Sequence, residues 1–199
     1  MAAVQRREQL LDVTAELAVH NGFQAVSIQA VARRAGISRP IVYEHFGGLT
    51  GLLKALIERE TGRALQQVRA TQLRDLSSGD PVELELESLR AYLETVRAHP
   101  TTWRLVLLPP EGAPELLRTS ILQGRRAILD GLIDAVRPGS GSGGRDPDPE
   151  LTARLLSAMA DEYAGLVLTN PDGYPPERLL AHARWFLTSR GPAKSDPQR

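Results

Sequence analysis

The 199-residue sequence predicts an all-α protein of about nine helices. Three observations carry that expectation. Leu and Ala recur at three-to-four spacing along most of the chain, the period of a helix with one buried face. Alternating runs of β-branched residues, which would mark strands, are scarce. Pro100, Pro109-Pro110, Pro138 and Pro171 punctuate the apolar stripes at intervals that suit helix ends.

Composition narrows the possible functions. Hydrophobic residues make up 42% and charged residues 24%, which excludes a wholly disordered polyelectrolyte. The 24 Lys+Arg balance 24 Asp+Glu, so coating of nucleic acid by bulk positive charge is excluded as well. A small basic surface on a neutral body is not. There is no cysteine, which removes disulfides, thiolate catalysis and Cys-ligated metals. The start, Met1-Ala2-Ala3-Val4-Gln5-Arg6-Arg7-Glu8, has no apolar core of a signal peptide, and no apolar run approaches the ~20 residues that span a bilayer. A soluble cytoplasmic protein without a membrane partner is expected.

The elements follow in order. Helix 1 is expected over 4–21, with Leu10, Leu11, Val13, Thr14, Leu17 and Ala18 on its apolar face and Asn21-Gly22 as its stop. Helix 2 is expected over 28–35 with Ser27 as N-cap, and helix 3 over 39–46 with Ser38 as N-cap and Pro40 in the first turn. Gly47-Gly48 ends helix 3. Helix 4 is expected over 50–76, and further helices over 82–98, 101–107, 114–136, 150–169 and 176–189. Pro138 to Pro149 holds four Gly, three Pro and two Ser in twelve residues and reads as a mobile loop; 190–199 reads as a frayed tail. These elements suggest a domain over 1–48, a helical body over 49–190 joined to it by helix 4, and a disordered end at 191–199.

Residues 27–46 fit a helix-turn-helix. Ala32 is small enough for two helices to approach, and Gly36 sits where the turn requires positive φ. Ile37 and Val42 fill the space between the helices, and Ile28 and Val31 seal the underside. Ser38 leaves the N-terminus of helix 3 facing outward, where its open N–H groups and dipole favour phosphate. A helix so presented fits the major groove of double-stranded DNA. Arg39 at its leading end can offer a bidentate donor pair to guanine, while Pro40 and Ile41 suit a thymine methyl. Tyr43 and His45 lie further along and can donate to phosphates, as can Arg33 and Arg34 on helix 2. Plainer readings fit some of the same residues. A helix-turn-helix with a Gly turn also occurs in enzymes and bundles, His45 beside Phe46 suits a packed helix end, Arg33-Arg34 suits a solvated one, and Tyr43 suits partial burial.

The stretch of about 5–62 resembles the DNA-binding domain of TetR-family transcriptional repressors. The features that carry the resemblance are Asn21-Gly22-Phe23 after an amphipathic helix, Val26-Ser27-Ile28 with Val31-Ala32, Ala35-Gly36-Ile37-Ser38, Tyr43 with His45-Phe46, and Leu52-Leu53 opening a long helix. The resemblance implies that Ser27 and the residues from Ser38 to His45 face DNA, that Tyr43 and His45 hold the phosphate backbone, and that Arg39, Pro40, Ile41 and Glu44 tune sequence choice. Two positions depart from the family. A lysine usual early in helix 4 is Leu49 here, and Glu44 is an acid where an aromatic is common. Lys54, Arg6 or Arg7 could replace the missing cation, and Glu44 could accept from cytosine N4.

The larger part of the chain carries no glycine-rich phosphate loop and no H-E-x-x-H, and His20, His45, His99 and His182 lack metal-ligand spacing, so neither an enzyme, a metal nor a cofactor is expected. Tyr92, Trp103, Leu105, Leu108, Met159, Tyr163, Leu166 and Trp185 are candidate walls of a pocket for a small apolar or amphipathic effector, with Glu162 beside them for a cationic group. Helical core is the plainer role for these aromatics. The last two helices carry apolar residues beyond one small core: Leu151, Leu155 and Ala158 on one, Leu179, Ala183, Phe186 and Leu187 on the other. The resemblance implies that such a pair packs against its copy in a two-fold dimer. The expected function is a ligand-responsive repressor that binds a pseudo-palindromic operator as a homodimer. The alternative is a helical small-molecule-binding protein whose DNA-binding motif is weakened.

Overall fold

The computed structural model describes residues 3–71, 80–136 and 148–189, and every regular element among them is helical. The helices are α1 (Ala3–Asn21), α2 (Ile28–Ala35), α3 (Arg39–Phe46), α4 (Leu49–Thr71), α5 (Pro81–Ala98), α6 (Pro100–Leu107), α7 (Glu115–Val136), α8 (Pro149–Thr169) and α9 (Pro176–Ser189), with a 3-10 turn at Phe23–Ala25. The spans expected from sequence for α2, α3 and α9 are reproduced to the residue; the others differ by one residue at a start. The expected last residues of helix 4, most of the Gly/Pro-rich loop and the tail lie outside the described residues.

The chain divides into two compact units, 1–66 with 99–125, and 67–98 with 126–199. The first unit reaches beyond the expected 1–48 segment, because α6 and the beginning of α7 share its core. Leu10, Leu11, Ala15 and Ala18 of α1 meet Phe23, Val26, Ile28, Val31, Ala32, Val42, Leu52, Leu56 and Ile57, and Leu105 and Leu117 close the same cluster. Thr14, fully buried among them, satisfies its hydroxyl by donating to the Leu10 carbonyl at 2.7 Å. The loop after α6 is tied in as well, since the Phe23 N–H donates to the Glu111 carbonyl at 3.0 Å.

Turn chemistry sets the crossing of α2 and α3. Ser27 caps α2, its Oγ accepting from the Ala30 N–H at 3.1 Å. Gly36 adopts φ 67° and ψ 33°, and the Ile37 N–H reaches back to the Ala32 carbonyl at 3.0 Å, the six-to-one bond of a Schellman stop. Val31, Ala32 and Val42 are buried between the helices as their sizes suggest. Gly51, in the first turn of α4, has a different reason to be glycine. A β-carbon there would overlap the carbonyl oxygen of Phe46, so α4 leaves the end of α3 at a distance only a bare backbone allows.

In the second unit α5 packs against both α8 and α9. Leu86, Leu89, Leu93 and Val96 form the buried stripe of α5; Ala153, Ala164, Val167 and Leu168 do so on α8, and Leu179, Leu180, Ala183 and Leu187 on α9. Polar links cross the same junctions. Arg184 of α9 is paired with Glu83 of α5 through both guanidinium nitrogens, Nη2 to Oε2 at 2.8 Å, and hydrogen bonding to Arg184 holds the Glu83 carboxyl below the ordinary glutamate range.

Two glycines of α4 should respond in opposite directions. Gly51→Ala is expected to lose about 1–3 kcal/mol of stability by overpacking against Phe46. Gly62→Ala, with nothing near the added methyl, is expected to gain up to about 1 kcal/mol from helix propensity. Urea unfolding of the two variants beside the parent chain measures both.

Candidate nucleic-acid interface

The outward surface of the first unit is built by α2 and α3. Arg39 and Pro40 at the start of α3 and Tyr43 and Glu44 one turn on are exposed, with Tyr43 at 53%; Ile41 and His45 are half-buried. Tyr43 therefore presents its phenol outward rather than to the core. Ser38 has extended N-cap backbone, φ −81° and ψ 150°, but its hydroxyl makes no cap bond. The expected cap is thus absent from α3. Pro40 takes one open donor off the first turn, and the Ser38 hydroxyl stays available at the surface.

Charge pairing sorts the basic residues. Arg34 faces Glu16 of α1 at 3.4 Å and Lys54 faces Glu58 at 3.8 Å, both as solvent-exposed pairs of small energy. Arg33 and Arg39 are exposed and face no carboxylate among the described residues. Arg7 is placed in a way that sequence spacing does not reveal. Its guanidinium lies 4.5 Å from the centre of the Phe46 ring and donates to the His45 carbonyl at 3.3 Å, across 38 residues of chain. His45 and Phe46 themselves stand tilted, with ring centres 6.1 Å apart.

Behind this surface lies a polar junction of α1, α4 and α6. Glu60, 2% exposed, receives Arg59 at 2.7 Å, Arg63 at 3.3 Å and the Thr102 hydroxyl of α6. Arg59 also reaches Glu8 at 3.0 Å and Asp12 at 2.8 Å on α1. Burial works against the charge on Arg59, but Glu60, Glu8 and Asp12 outweigh it and hold its pKa above the usual arginine value. The sequence signals for this junction are weak, since only Glu60 and Arg63 form an oppositely charged pair at helical spacing.

The candidate effector residues are divided between the units. Trp103, Leu105 and Leu108 belong to the first, where Leu105 is core, Trp103 is 2% exposed and Leu108 is on the surface. Tyr92, Met159, Glu162, Tyr163 and Leu166 belong to the second. There the Tyr92 hydroxyl donates to Asp161 at 3.5 Å, and Met159 and Leu166 are half-buried. Burial pushes the Tyr163 phenol pKa up, and its oxygen lies 2.6 Å from Nδ1 of His182. The dimer candidates divide as well. Leu151, Leu155 and Ala158 are exposed along α8, whereas Leu179, Ala183 and Leu187 face inward on α9, the face used against the chain's own core, and Phe186 is half-buried. The outward face of α9 instead carries His182 and Trp185, with Trp185 62% exposed and 5.5 Å from the imidazole.

Residues 10–56 match the family model of bacterial regulatory proteins of the tetR family. This stretch of the chain belongs to the TetR family of transcriptional regulators. It is similar to the transcriptional activator FasR of Mycolicibacterium smegmatis, 23% identical over 137 residues that cover 69% of this chain and 61% of that relative, less than two thirds of its length. It is 27% identical over 194 residues to the transcriptional regulator BetI of Escherichia coli, covering 94% of each chain. A transcriptional regulator of Saccharomonospora viridis, crystallised in complex with choline, shares the fold with a TM-score of 0.71 at 21% identity, over 94% of this chain and 97% of that one. Among the described residues, no helix is long and apolar enough to cross a membrane.

The Glu60 junction is expected to be costly to break. Glu60→Ala leaves the buried Thr102 hydroxyl without its acceptor while Arg59 keeps Glu8 and Asp12, and should cost about 1–3 kcal/mol. Thr102→Val leaves one Glu60 oxygen without its donor and should cost about 1–3 kcal/mol. Equilibrium unfolding monitored by circular dichroism measures both losses.

Proposed function

We propose that this chain is a homodimeric DNA-binding regulator that represses its target when α3 occupies the major groove of each half of a pseudo-palindromic operator. The observation that carries the reading is the exposed face of α3, Arg39, Pro40, Tyr43 and Glu44, set behind a Gly36 turn within the stretch that matches the family model. In this reading Arg39, Pro40, Ile41 and Glu44 meet base edges. Ser27, Arg33, Ser38, Tyr43 and His45 meet phosphate, and Arg34 and Lys54 do so only by leaving their carboxylate partners. One such module buries too little for high specificity, and two recognition helices about 34–36 Å apart supply the rest.

The second copy docks on α8 and α9. Leu151 at 57%, Leu155 at 63% and Trp185 at 62% exposure leave large apolar side chains of both helices open to water, which supports their burial against a second copy. The effector is a small amphipathic molecule held in the second unit, near Tyr92, Met159, Tyr163 and Leu166. The choline complex of the Saccharomonospora viridis relative supports a small-molecule site in this fold, and Glu162 or the Tyr92–Asp161 pair suits a cationic head. Because α4 continues from the first unit into the second, a molecule that favours one setting of α4 shifts the spacing of the two α3 helices. It does so only by its difference in affinity for the two settings, about 2 kcal/mol for a tens-fold effect.

Two measurements test this reading. Fluorescence anisotropy with a duplex selected by the chain from a random pool should show Tyr43→Phe weakening selected and scrambled duplexes alike, by about fivefold for one lost phosphate bond. Arg39→Ala should instead cost about 1–3 kcal/mol at one base position and spare the scrambled duplex. No binding of the parent chain to any duplex at low salt would sink the reading. Sedimentation should give a dimer that Leu155→Glu or Trp185→Glu converts to monomer; a monomeric parent chain would remove the docking role of α8 and α9.

A further inference from the structure

We infer that Arg7, on α1, is a phosphate clamp that fixes the C-terminal end of α3 on the DNA backbone. The inference rests on the reading of α2 and α3 as a DNA-binding pair and adds a contact outside them. Four basic side chains of α2 and α4 are spent on carboxylates: Arg34 on Glu16, Lys54 on Glu58, and Arg59 and Arg63 on Glu8, Asp12 and Glu60. Arg7 is not. Among the described residues it has no carboxylate partner, yet it is held in place, by the Phe46 ring at 4.5 Å and the His45 carbonyl at 3.3 Å. Neither partner is an anion, so the full positive charge remains.

The placement of that charge argues for a ligand. A guanidinium at the last carbonyls of α3 is stabilised by the negative end of the helix dipole and by the aromatic face. These contacts use one edge and one face of the planar fork, and the remaining N–H donors suit the bidentate geometry of a phosphate. Long cationic side chains ordinarily lose much rotamer freedom on binding; one already lying on Phe46 loses less. The exposed Tyr43 stands one turn earlier on the same helix, so phenol and guanidinium both mark the end of α3 away from Arg39. Leu49, the first residue of α4, offers no cation there. Arg7 supplies one from a different helix, at a position that moves with α1 rather than α4.

The salt dependence of DNA binding separates a phosphate contact from a merely structural tether. Arg7→Met keeps an unbranched stem on the Phe46 ring and removes the charge. With the full chain and a fluorescein-labelled duplex selected from a random pool, the slope of log affinity against log salt should fall in magnitude by about one per bound protomer, and affinity at about 0.1 M salt by about tenfold per protomer. The loss should be the same on a scrambled duplex, with the thermal unfolding midpoint as a check on folding. Should Arg7→Met not fold, Arg7→Gln, which can still donate to the His45 carbonyl, gives the same slope reading. An unchanged slope in the variant, with or without weaker binding, overturns the inference and leaves Arg7 a tether of α1 to α3. Failure of the parent chain to bind either duplex overturns the DNA-binding reading itself, a result distinct from retained binding with an unaltered slope.

Discussion

The first unit depends on one buried carboxylate. Glu60 of α4 is almost wholly shielded from water, and a lone charge there would be too costly to keep. It is tolerated because Arg59 and Arg63 of its own helix and Thr102 of α6 converge on its two oxygens, while Arg59 is in turn held by Glu8 and Asp12 of α1. A charge network of this kind contributes little net stability compared with an apolar core of the same volume. Its effect is on geometry: α1, α4 and α6 must take up the one arrangement that satisfies every member. The rest of the unit follows, since α2 lies on α1 and α3 on α2, and α4 departs from α3 at the close approach allowed by Gly51.

That constraint has a functional reading. A recognition helix discriminates bases only if it is held within a fraction of an ångström, and α3 is eight residues long with a single fully buried side chain, Val42. Its rigidity is therefore borrowed. The Gly36 turn fixes one end, while Phe46, Arg7 and the Gly47 stop fix the other. The inclusion of α6 in the same unit means that a shift of α6 would be felt at Glu60 before it was felt at α3, through Thr102.

Much of this was legible in residue order. Ser27, Gly36 and Gly47 are local devices: a hydroxyl three residues before an open N–H, and glycines where φ must be positive. Such features depend on neighbours within a few residues, which explains why α2 and α3 could be placed to the residue. The face of α9 was read differently from sequence. Leu179, Ala183 and Leu187 form a regular apolar stripe, but a stripe does not say which partner it meets, and here it is turned to the chain's own core while Trp185 looks outward. Leu105 likewise reads as an apolar helix residue and proves to be part of the α1 core, not of the unit that holds Tyr92.

Sequence by itself determined the helix content, the helix-turn-helix and its family, because periodicity, caps and turn residues act over short distances and leave their pattern in the chain. It also excluded bulk electrostatic attraction to nucleic acid, through the exact balance of 24 basic and 24 acidic residues. Only the tertiary structure decided which of those charges are spent. Arg59 and Glu8 are 51 residues apart, and Arg7 and His45 are 38 apart. Pairing at such separations is set by the packing of α1 against the other helices, since an ion pair or a cation over a ring forms only where folding brings the groups within a few ångströms.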